Sequence, residues 1–497
     1  MTTRGNAEAC RCPDNQEGLP GSSAVRRYSC AAPMLAETIG KSGEIDMTKT
    51  VTDPAGVAIG TGLSGTLIRR GDAEYDQARR VWNGMIDRSP AIIVRCHTTA
   101  DVVGAVNFAR ERGLVLAVRG GGHNAGGLAV CDDGVVIDLS PMRAVTVDPD
   151  RRIAIAQGGA LWRDFDAATH VHGLASTGGL ISSTGIGGLT LGGGLGWLMR
   201  SYGLACDNVV AVEIVTADGT VRRASATENP ELFWGVRGGG GNFGVVTAFE
   251  YRLHPVSTMY GGMLVFPFPR AREVLRVYRE LAASAPDALT VFAGLLSAPD
   301  GMPITAIFVG YNGPASEGEA AIKPLRDLGP VADQVGLLPY PALQSMLDEG
   351  FPSGIQVYWR SDFLSGLPDE AIEALCEQFA SVTSPLSALL IEQFGGAVAR
   401  VPAEETAFAH RDGLFNLLVI ARWTDPTPGE AHTEWARRSS AALRPFATGG
   451  VYVNYLSAEG EDRVRAAYGP SKYDRLVALK RRYDPTNLFR MNQNIQP

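Results

Sequence analysis

The first structured part of the chain alternates between helical and strand-like hydrophobic patterns. Over residues 74–88 the apolar positions fall at helical spacing, which predicts an amphipathic helix. Residues 91–96 are apolar as in a buried strand, and a second helix is predicted over about 100–112, where Gly113 would end it. A further strand over 114–118 completes a β-α-β unit.

Three glycines and a histidine, Gly120-Gly121-Gly122-His123, follow this unit directly. Glycine lets the backbone approach a ligand closely, and successive amide groups in such a loop can bind an anion such as a diphosphate. The next predicted element is a strand over 134–139. This order disfavours a Rossmann-type site, in which the glycines lie between a strand and a helix. The GxGxxG match at residues 60–65 has no convincing strand before it and is disfavoured as a phosphate loop.

Two more glycine clusters follow, separated by predicted hairpins that turn at Pro149-Asp150 and at Asp218-Gly219. The second cluster, over 178–196, is too rich in glycine for an ordinary helix or strand. The third, over 237–244, leads into a predicted strand over 245–253. From about residue 256 to 453 glycine becomes rarer, and alternating strands mix with helices such as 369–379, which predicts a second domain.

Composition narrows the class of protein. The chain has 497 residues, 45% of them hydrophobic, which favours two or three domains. Its formal net charge of −8 shows no basic surplus, so neither nucleic acid nor an anionic membrane is an expected partner. No apolar run reaches about 18 residues, the length of a membrane span. We expect a cytoplasmic protein that acts on a small molecule.

The seven cysteines are scattered and show neither a disulfide framework nor a metal signature, so no metal is expected. The pair Cys10 and Cys12 lies in a polar leader, residues 1–48, which we interpret as disordered. Arg26-Arg27 is followed by no sustained apolar run, unlike a secretion signal. Met47 as the native start is a hypothesis that intact mass would test.

The three glycine clusters, the first closed by a histidine, resemble the vanillyl-alcohol-oxidase type of FAD-binding domain, and more closely the berberine-bridge-enzyme-like oxidases. Tyr452-Val453-Asn454-Tyr455 is similar to that family's YxNY motif, and residues 483–493 are similar to its closing motif. The resemblance covers residues 50–497. It implies an α+β, two-domain fold: a PCMH-type FAD-binding domain over 49–256, completed by a berberine-bridge-type segment over 454–497, and an antiparallel-sheet substrate domain over 257–453.

The resemblance also implies FAD as cofactor and a covalent bond from His123 to the flavin. Many relatives add a second bond from a cysteine, but Gly185 occupies that place here, and Cys206 is better interpreted as a buried small side chain. We therefore expect one covalent bond, through His123. The expected cofactor-binding residues are Arg119, Gly120, Gly121, Gly122, His123, Asn124, Gly126, Gly185, Gly187, Gly188, Gly192, Gly193, Gly196, Asn242, Val246, Asn492 and Asn494.

Tyr455 matches the family's catalytic tyrosine. Because the pKa of a free tyrosine is about 10, it would need a neighbouring positive charge or hydrogen-bond donor to act as a base. Tyr452 is either its hydrogen-bonding partner or a strand residue that faces the core. Asn454 is expected to hold the turn.

Candidate substrate residues lie in the predicted second domain. Leu417 stands where the family prototype has a glutamate, which puts the prototype's ring-forming chemistry in doubt. Glu392 matches a pocket position and would bind or orient a polar or amine substrate, with a surface carboxylate as the alternative. Asn416, Tyr358 and Trp359 are weaker pocket candidates, and core packing is the alternative for the two aromatic residues.

The resemblance implies oxidation of a CH–OH or CH–NH group by hydride transfer to the flavin, with dioxygen as acceptor and hydrogen peroxide as product. The alternative is a flavin dehydrogenase of a secondary-metabolite pathway that uses another acceptor, since Thr184 replaces an aliphatic residue where oxygen approaches. A nucleotide-dependent transferase is disfavoured because no GxxxxGK[ST] segment exists. A flavin carrier is disfavoured because both tyrosines are present.

Overall fold

The computed structural model describes residues 50–52, 58–61, 63–425 and 429–497. The leader, including Cys10, Cys12 and Met47, lies outside the described residues, as does part of the GxGxxG match. No helix among the described residues has the length and apolar character needed to cross a membrane.

The helices of the described residues are mostly short in the first half of the chain and longer in the second. They are α1 (Tyr75–Ala78), α2 (Thr99–Glu111), α3 (Trp162–His170), α4 (Ile186–Leu191), α5 (Met199–Tyr202), α6 (Pro230–Val236), α7 (Ala271–Ser284), α8 (Ala315–Arg326), α9 (Tyr340–Gln344), α10 (Asp369–Ala380), α11 (Ala397–Arg400), α12 (Glu430–Leu443), α13 (Glu461–Tyr468) and α14 (Pro470–Tyr483).

The strands of the described residues fall into five sheets. They are β1 (Thr50–Thr52), β2 (Ala58–Thr61), β3 (Thr66–Arg69), β4 (Ile92–Arg95), β5 (Leu116–Arg119), β6 (Val135–Asp138), β7 (Val145–Asp148), β8 (Ile153–Gln157), β9 (Leu174–Ala175), β10 (Val209–Val215), β11 (Val221–Ser225), β12 (Val245–Arg252), β13 (His254–Pro255), β14 (Thr258–Pro267), β15 (Leu289–Ser297), β16 (Pro303–Tyr311), β17 (Ala332–Asp333), β18 (Gly336–Pro339), β19 (Gln356–Leu364), β20 (Ala388–Gln393) and β21 (Phe415–Trp423). Besides the pairs β1-β2 and β13-β9 there are three larger sheets.

The predicted β-α-β unit is confirmed and forms part of a four-stranded sheet in the order β3-β4-β6-β5. Helix α2 begins with a capping box in which the Thr98 side chain accepts from the backbone N–H of Asp101. Strand β6 lies between β4 and β5 and runs parallel to both. The glycine loop therefore leaves β5 at the carboxyl edge of the parallel strands, and the chain crosses back to the amino edge before it enters β6.

The second sheet has the order β11-β10-β12-β8-β7. Both predicted hairpins are confirmed, since β7 pairs with β8 and β10 with β11, each antiparallel. Its core includes Phe249 and Tyr251 of β12 together with Leu476 and Tyr483 of α14. The C-terminal helix thus packs on the first half of the chain. The domain boundaries at 256 and 453 stay a prediction.

The largest sheet is antiparallel, in the order β17-β14-β16-β15-β20-β21-β19, with β18 also paired to β14. The predicted helix over 369–379 is confirmed as α10. One face of the sheet, including Ile391 and Leu417, packs with α7, α8, α10 and α12 in a buried apolar cluster. Because strand side chains alternate, Glu392 and Asn416 belong to the opposite face. The α+β class is confirmed.

The helix predicted over 74–88 is wrong beyond Ala78. The backbone N–H groups of Trp82 and Gly84 donate to carbonyls of Gly122 and Ile355, so hydrogen bonds to other segments replace the helical ones. This extended path brings Trp82 to the glycine loop. Tertiary contacts have overridden a helical periodicity here.

The expectation that the second glycine cluster holds no helix is also wrong, since α4 lies within it. A Cβ on Gly187 would lie 3.1 Å from the carbonyl oxygen of Gly158. The absence of side chains lets this turn of helix approach the neighbouring backbone.

Candidate active site

The glycine clusters and the large sheet enclose one cavity of about 300 Å³. Backbone of all three clusters forms one side of it, and side chains of β19, β20 and β21 form another. The glycines that line it are Gly120, Gly121, Gly122, Gly158, Gly185, Gly187, Gly188, Gly192, Gly240, Gly241 and Gly244. Loops far apart in sequence therefore meet at a single site.

His123 lines this cavity beside the glycine loop. Its ring stacks on Trp82, with 5.0 Å between ring centroids and 17° between planes. Its Nε2 atom lies 2.9 Å from Oγ of Ser183. Burial lowers the pKa of His123 to about 4, although the charge of Asp348 acts in the opposite direction, so the imidazole is neutral near pH 7.

Gly185, at the place where the resemblance implies a cysteine in many relatives, contacts the backbone of Gly121. A side chain at position 185 would overlap that backbone. Cys206 is fully buried in an apolar cluster and does not line the cavity, and burial raises the pKa of its thiol. It matches the expected buried small side chain.

The other expected cofactor residues divide into two groups. Asn124, Val246 and Asn492 line the cavity. The remaining six do not line it: Arg119, Gly126, Gly193, Gly196, Asn242 and Asn494. The geometry therefore does not favour direct contact between these six residues and a ligand in this cavity.

Two of these six residues, Arg119 and Asn242, make contacts that stabilise the fold around the site. The Arg119 guanidinium pairs with Asp138, with 2.6 Å between Nη2 and Oδ2. Asn242 donates to the carbonyls of Gly239 and Gln493 and accepts from the backbone N–H of Ile495. It thereby ties the third glycine cluster to the end of the chain.

A buried ion pair holds the C-terminal segment against the site. Lys480 Nζ lies 2.7 Å from Oδ2 of Asp484, and both side chains are fully buried. Lys480 also donates to the carbonyls of Asn242 and Phe489, and Asp484 accepts from the backbone N–H groups of Leu488 and Phe489. Phe489 itself lines the cavity.

At the sheet side of the cavity, Tyr455 and Glu392 form a hydrogen-bonded pair. The Tyr455 hydroxyl donates to Oε1 of Glu392 at 2.7 Å, and Asn416 Nδ2 donates to Oε2 at 2.6 Å. Ser361 donates to Asn416 at 2.9 Å. Glu392 is only 1% exposed, so the alternative of a surface carboxylate is wrong.

The surroundings of Tyr455 do not favour a phenolate. Burial and the neighbouring carboxylate raise its pKa well above the usual value. Burial raises the pKa of Glu392 to about 7, despite the hydrogen bonds from Tyr455 and Asn416. Of the two groups, Glu392 is therefore the one that can accept a proton near neutral pH.

Tyr452 is fully buried, and its hydroxyl accepts from the backbone N–H of Gly194 at 2.9 Å and from Asn454 Nδ2 at 2.9 Å. Asn454 Nδ2 also donates to the carbonyl of Leu189. Both residues line the cavity and connect the YxNY turn, Val453–Tyr455, to the second glycine cluster.

Of the aromatic pair on β19, Trp359 lines the cavity and Tyr358 does not. Tyr358 packs against the apolar cluster on the helix side of the sheet, so its assignment to the pocket is corrected. Leu417 is buried in the same cluster. Asn416 is on the cavity face but supports Glu392 from behind and does not line the space.

Sequence reasoning missed several lining residues. Trp82, Gly158, Leu347, Phe351, Leu390, Leu418, Ile420 and Tyr468 all line the cavity. Gly240, Gly241 and Gly244 belong to the third glycine cluster, so the high density of glycine there does indicate that they line the site. Among the described residues, no group of three or more His, Cys, Asp or Glu side chains is arranged to hold a metal ion.

Comparison with known proteins agrees with this geometry. Residues 90–225 match the family model described as FAD binding domain, and residues 451–496 match that described as berberine and berberine like. An FAD-linked oxidoreductase of Dictyostelium discoideum is 33% identical over 440 residues, covering 88% of this chain and 95% of the relative. The (R)-6-hydroxynicotine oxidase of Paenarthrobacter nicotinovorans is 34% identical over 455 residues, covering 88% and 97%.

The solved structure of 6-hydroxy-D-nicotine oxidase from Arthrobacter nicotinovorans superposes with a TM-score of 0.81 at 32% identity, covering 88% of this chain and 98% of that one. The fold is therefore of the vanillyl-alcohol-oxidase type, as expected. The chain belongs to the berberine-bridge-enzyme-like family of FAD-linked oxidoreductases.

Proposed function

We propose that this enzyme oxidises a CH–OH or CH–NH group of a small molecule, with FAD bonded covalently to His123 alone and dioxygen as electron acceptor. The observation that carries the proposal is one cavity lined by the glycine loops, by His123 and by the hydrogen-bonded pair of Tyr455 and Glu392.

The cavity wall fits FAD in two respects. A Cβ built on Gly188 or Gly241 would meet no protein atom within 4 Å, so backbone there is open to a ligand. Asn492 lines the cavity, and its Oδ1 is buried without a hydrogen-bond partner among the described residues, which leaves an acceptor for a ligand hydroxyl or amino group. FAD bound there supplies the hydride acceptor and the route of electrons to dioxygen.

His123 is suited to a covalent bond because its ring is neutral and held in place. Trp82 fixes the ring plane, and Ser183 engages Nε2. Nδ1 is left without a hydrogen bond to the described residues. Nδ1 would therefore be the ring atom free to form the bond.

Oxidation next to an O–H or N–H group also requires a proton acceptor. Glu392 fills this role, with Tyr455 and Asn416 each donating to one of its oxygens. The role of base expected for Tyr455 passes to Glu392, and Tyr455 positions the carboxylate.

Acid precipitation of the purified yellow protein tests the covalent bond. Colour that stays with the pellet in wild type, and moves to the supernatant in His123→Ala, supports it. Yellow supernatant from the wild type would refute the bond, and a protein colourless after expression with excess FAD would refute the flavin assignment itself.

The acceptor is tested separately. Photoreduced enzyme mixed with aerated buffer should reoxidise rapidly and release one peroxide per flavin. Reoxidation that is slow while an artificial quinone reoxidises the enzyme quickly would favour a dehydrogenase.

A further inference from the structure

Glu392 has no cationic partner in the part of the chain that the structure describes. No ion pair includes it, and the groups bonded to its oxygens are the neutral Tyr455 hydroxyl and the neutral Asn416 amide. A buried carboxylate without a counter-charge is costly, since desolvation disfavours the ionised form. Burial indeed raises its pKa to about 7.

The carboxylate also faces the cavity alone. Among the described residues that line the cavity, Glu392 is the only aspartate, glutamate, lysine or arginine. The cavity is therefore a largely apolar space in which Glu392 is the one acidic group among the described lining residues.

The walls around Glu392 are hydrophobic. Leu418 and Ile420 form a small apolar cluster with Trp359, Leu390 and the ring of Tyr455 packed against it. Phe351 belongs to the same cluster, and Trp359 meets Tyr455 edge to face at 5.3 Å. Aromatic rings beside a carboxylate favour a cation through both charge and cation–π attraction.

We propose that the substrate is an apolar amine that enters as an ammonium ion and binds Glu392, which rests on the proposed function. The ammonium supplies the missing counter-charge, and its hydrocarbon part contacts the leucine, isoleucine and aromatic wall. The ammonium N–H bond then breaks, its proton forms an O–H bond on Glu392, and its electron pair stays on nitrogen. The product of this step is the neutral amine, whose lone pair favours loss of hydride from the adjacent carbon.

A sugar or other polyol fits this wall poorly. Each hydroxyl that loses water needs a hydrogen-bond partner, because a buried polar group without one destabilises the complex. Leu390, Leu418 and Ile420 offer none. The same wall that accommodates an apolar amine therefore excludes an oligosaccharide.

The test measures binding to the holoenzyme by ligand-observed NMR and calorimetry. The probes are matched pairs of ring amines and their ether isosteres, such as 2-phenylpyrrolidine and 2-phenyltetrahydrofuran, together with xylobiose. In the wild type the amines should bind at least about tenfold more tightly than the ethers. In Glu392→Gln this preference should disappear while ether binding persists. Glu377→Gln, a change of the same kind on the exposed side of α10, should keep the preference.

Several outcomes would overturn the inference: equal binding of amine and ether, absence of amine binding, tighter binding of xylobiose, or a preference that survives Glu392→Gln. None of these outcomes would refute the proposed function, because its two tests, the colour of the acid pellet and the rate of reoxidation, are made without substrate. Loss of flavin from the wild-type protein would instead refute the proposed function.

Discussion

A Cβ atom built on Gly185 would lie 2.3 Å from the amide nitrogen of Gly121, and one built on Gly121 would lie 2.3 Å from the amide nitrogen of Gly185. The first and second glycine clusters therefore touch backbone to backbone, two residues from His123. This contact leaves no room at position 185 for the cysteine side chain that the resemblance implies at this place in many relatives.

Gly185→Cys should therefore destabilise the protein and not create a second bond. The backbone must shift, at a cost of about 1–3 kcal/mol. Thermal unfolding of the holoenzyme measures the loss, and digestion with mass analysis locates the flavin bond. Gly336→Ala, at a position with no atom within 4 Å, is the control and should change stability little. A thioether found in a variant of unchanged stability would contradict this account.

Ser183→Ala should lower the fraction of flavin that becomes covalently bound. The hydroxyl forms a hydrogen bond with Nε2 of His123. Without this hydrogen bond the ring can adopt the other tautomer and the other orientation. In-gel flavin fluorescence of denatured protein, measured over time after addition of FAD to apoprotein, follows the bond. Ser353→Ala, at an exposed serine that is not the hydrogen-bond partner of His123, is the control and should leave the rate unchanged. Equal rates in all three proteins would exclude a positioning role for Ser183.

The folded protein should lose stability as pH rises from about 4.5 to about 7 through Glu392. Its carboxyl has a pKa of about 7 when folded and a lower one when unfolded, so the folded state binds more protons in that window. Across the window the loss is about 3 kcal/mol at most, and Glu392→Gln should remove it. Urea unfolding at a series of pH values checks the difference between the two proteins. Parallel pH profiles would refute the assignment.

The register of one strand shows where sequence reasoning reached its limit. An aromatic pair on β19 was identified, but which member faces the cavity depends on a period-2 register that the pair alone does not define. Trp359 lines the cavity, and Tyr358 packs against the apolar cluster on the other face of the sheet. The motif-based positions of His123 and Tyr455 place both at the cavity, because each is marked by its neighbours in sequence.

The contacts between distant segments could not be predicted. Glu392 and Tyr455 are 63 residues apart, and only the folded sheet shows that the tyrosine donates to the carboxylate. The helix predicted over 74–88 failed for a related reason, since hydrogen bonds to Gly122 and Ile355 replaced local ones. Hydrophobic periodicity reports local preference and carries no information on these partners.

Lys480→Met should unfold the C-terminal segment locally and weaken FAD retention. The variant leaves Asp484 buried without its partner, which costs about 3–5 kcal/mol. Because Phe489 and Asn492 line the cavity, the segment's loss opens the cofactor site. Flavin absorbance per protein and the melting temperature report both effects. Lys323→Met breaks an exposed pair with Asp327 and should change neither. Full flavin content together with wild-type stability in Lys480→Met would disprove the role of this ion pair.

Tyr455→Phe should move the pH dependence of flavin reduction upward. The hydroxyl donates to Oε1 of Glu392 and so favours the carboxylate, and without it the pKa of Glu392 rises further above about 7. The rate of anaerobic flavin reduction by an oxidisable substrate should therefore increase with pH around a higher midpoint than in the wild type. Tyr452→Phe removes a hydroxyl that bonds to Gly194 and Asn454 and not to Glu392, so its midpoint should stay near the wild-type value even if its stability falls. Glu392→Gln should show no such midpoint. A midpoint that moves downward in Tyr455→Phe, or one that persists in Glu392→Gln, would mean that another group accepts the proton.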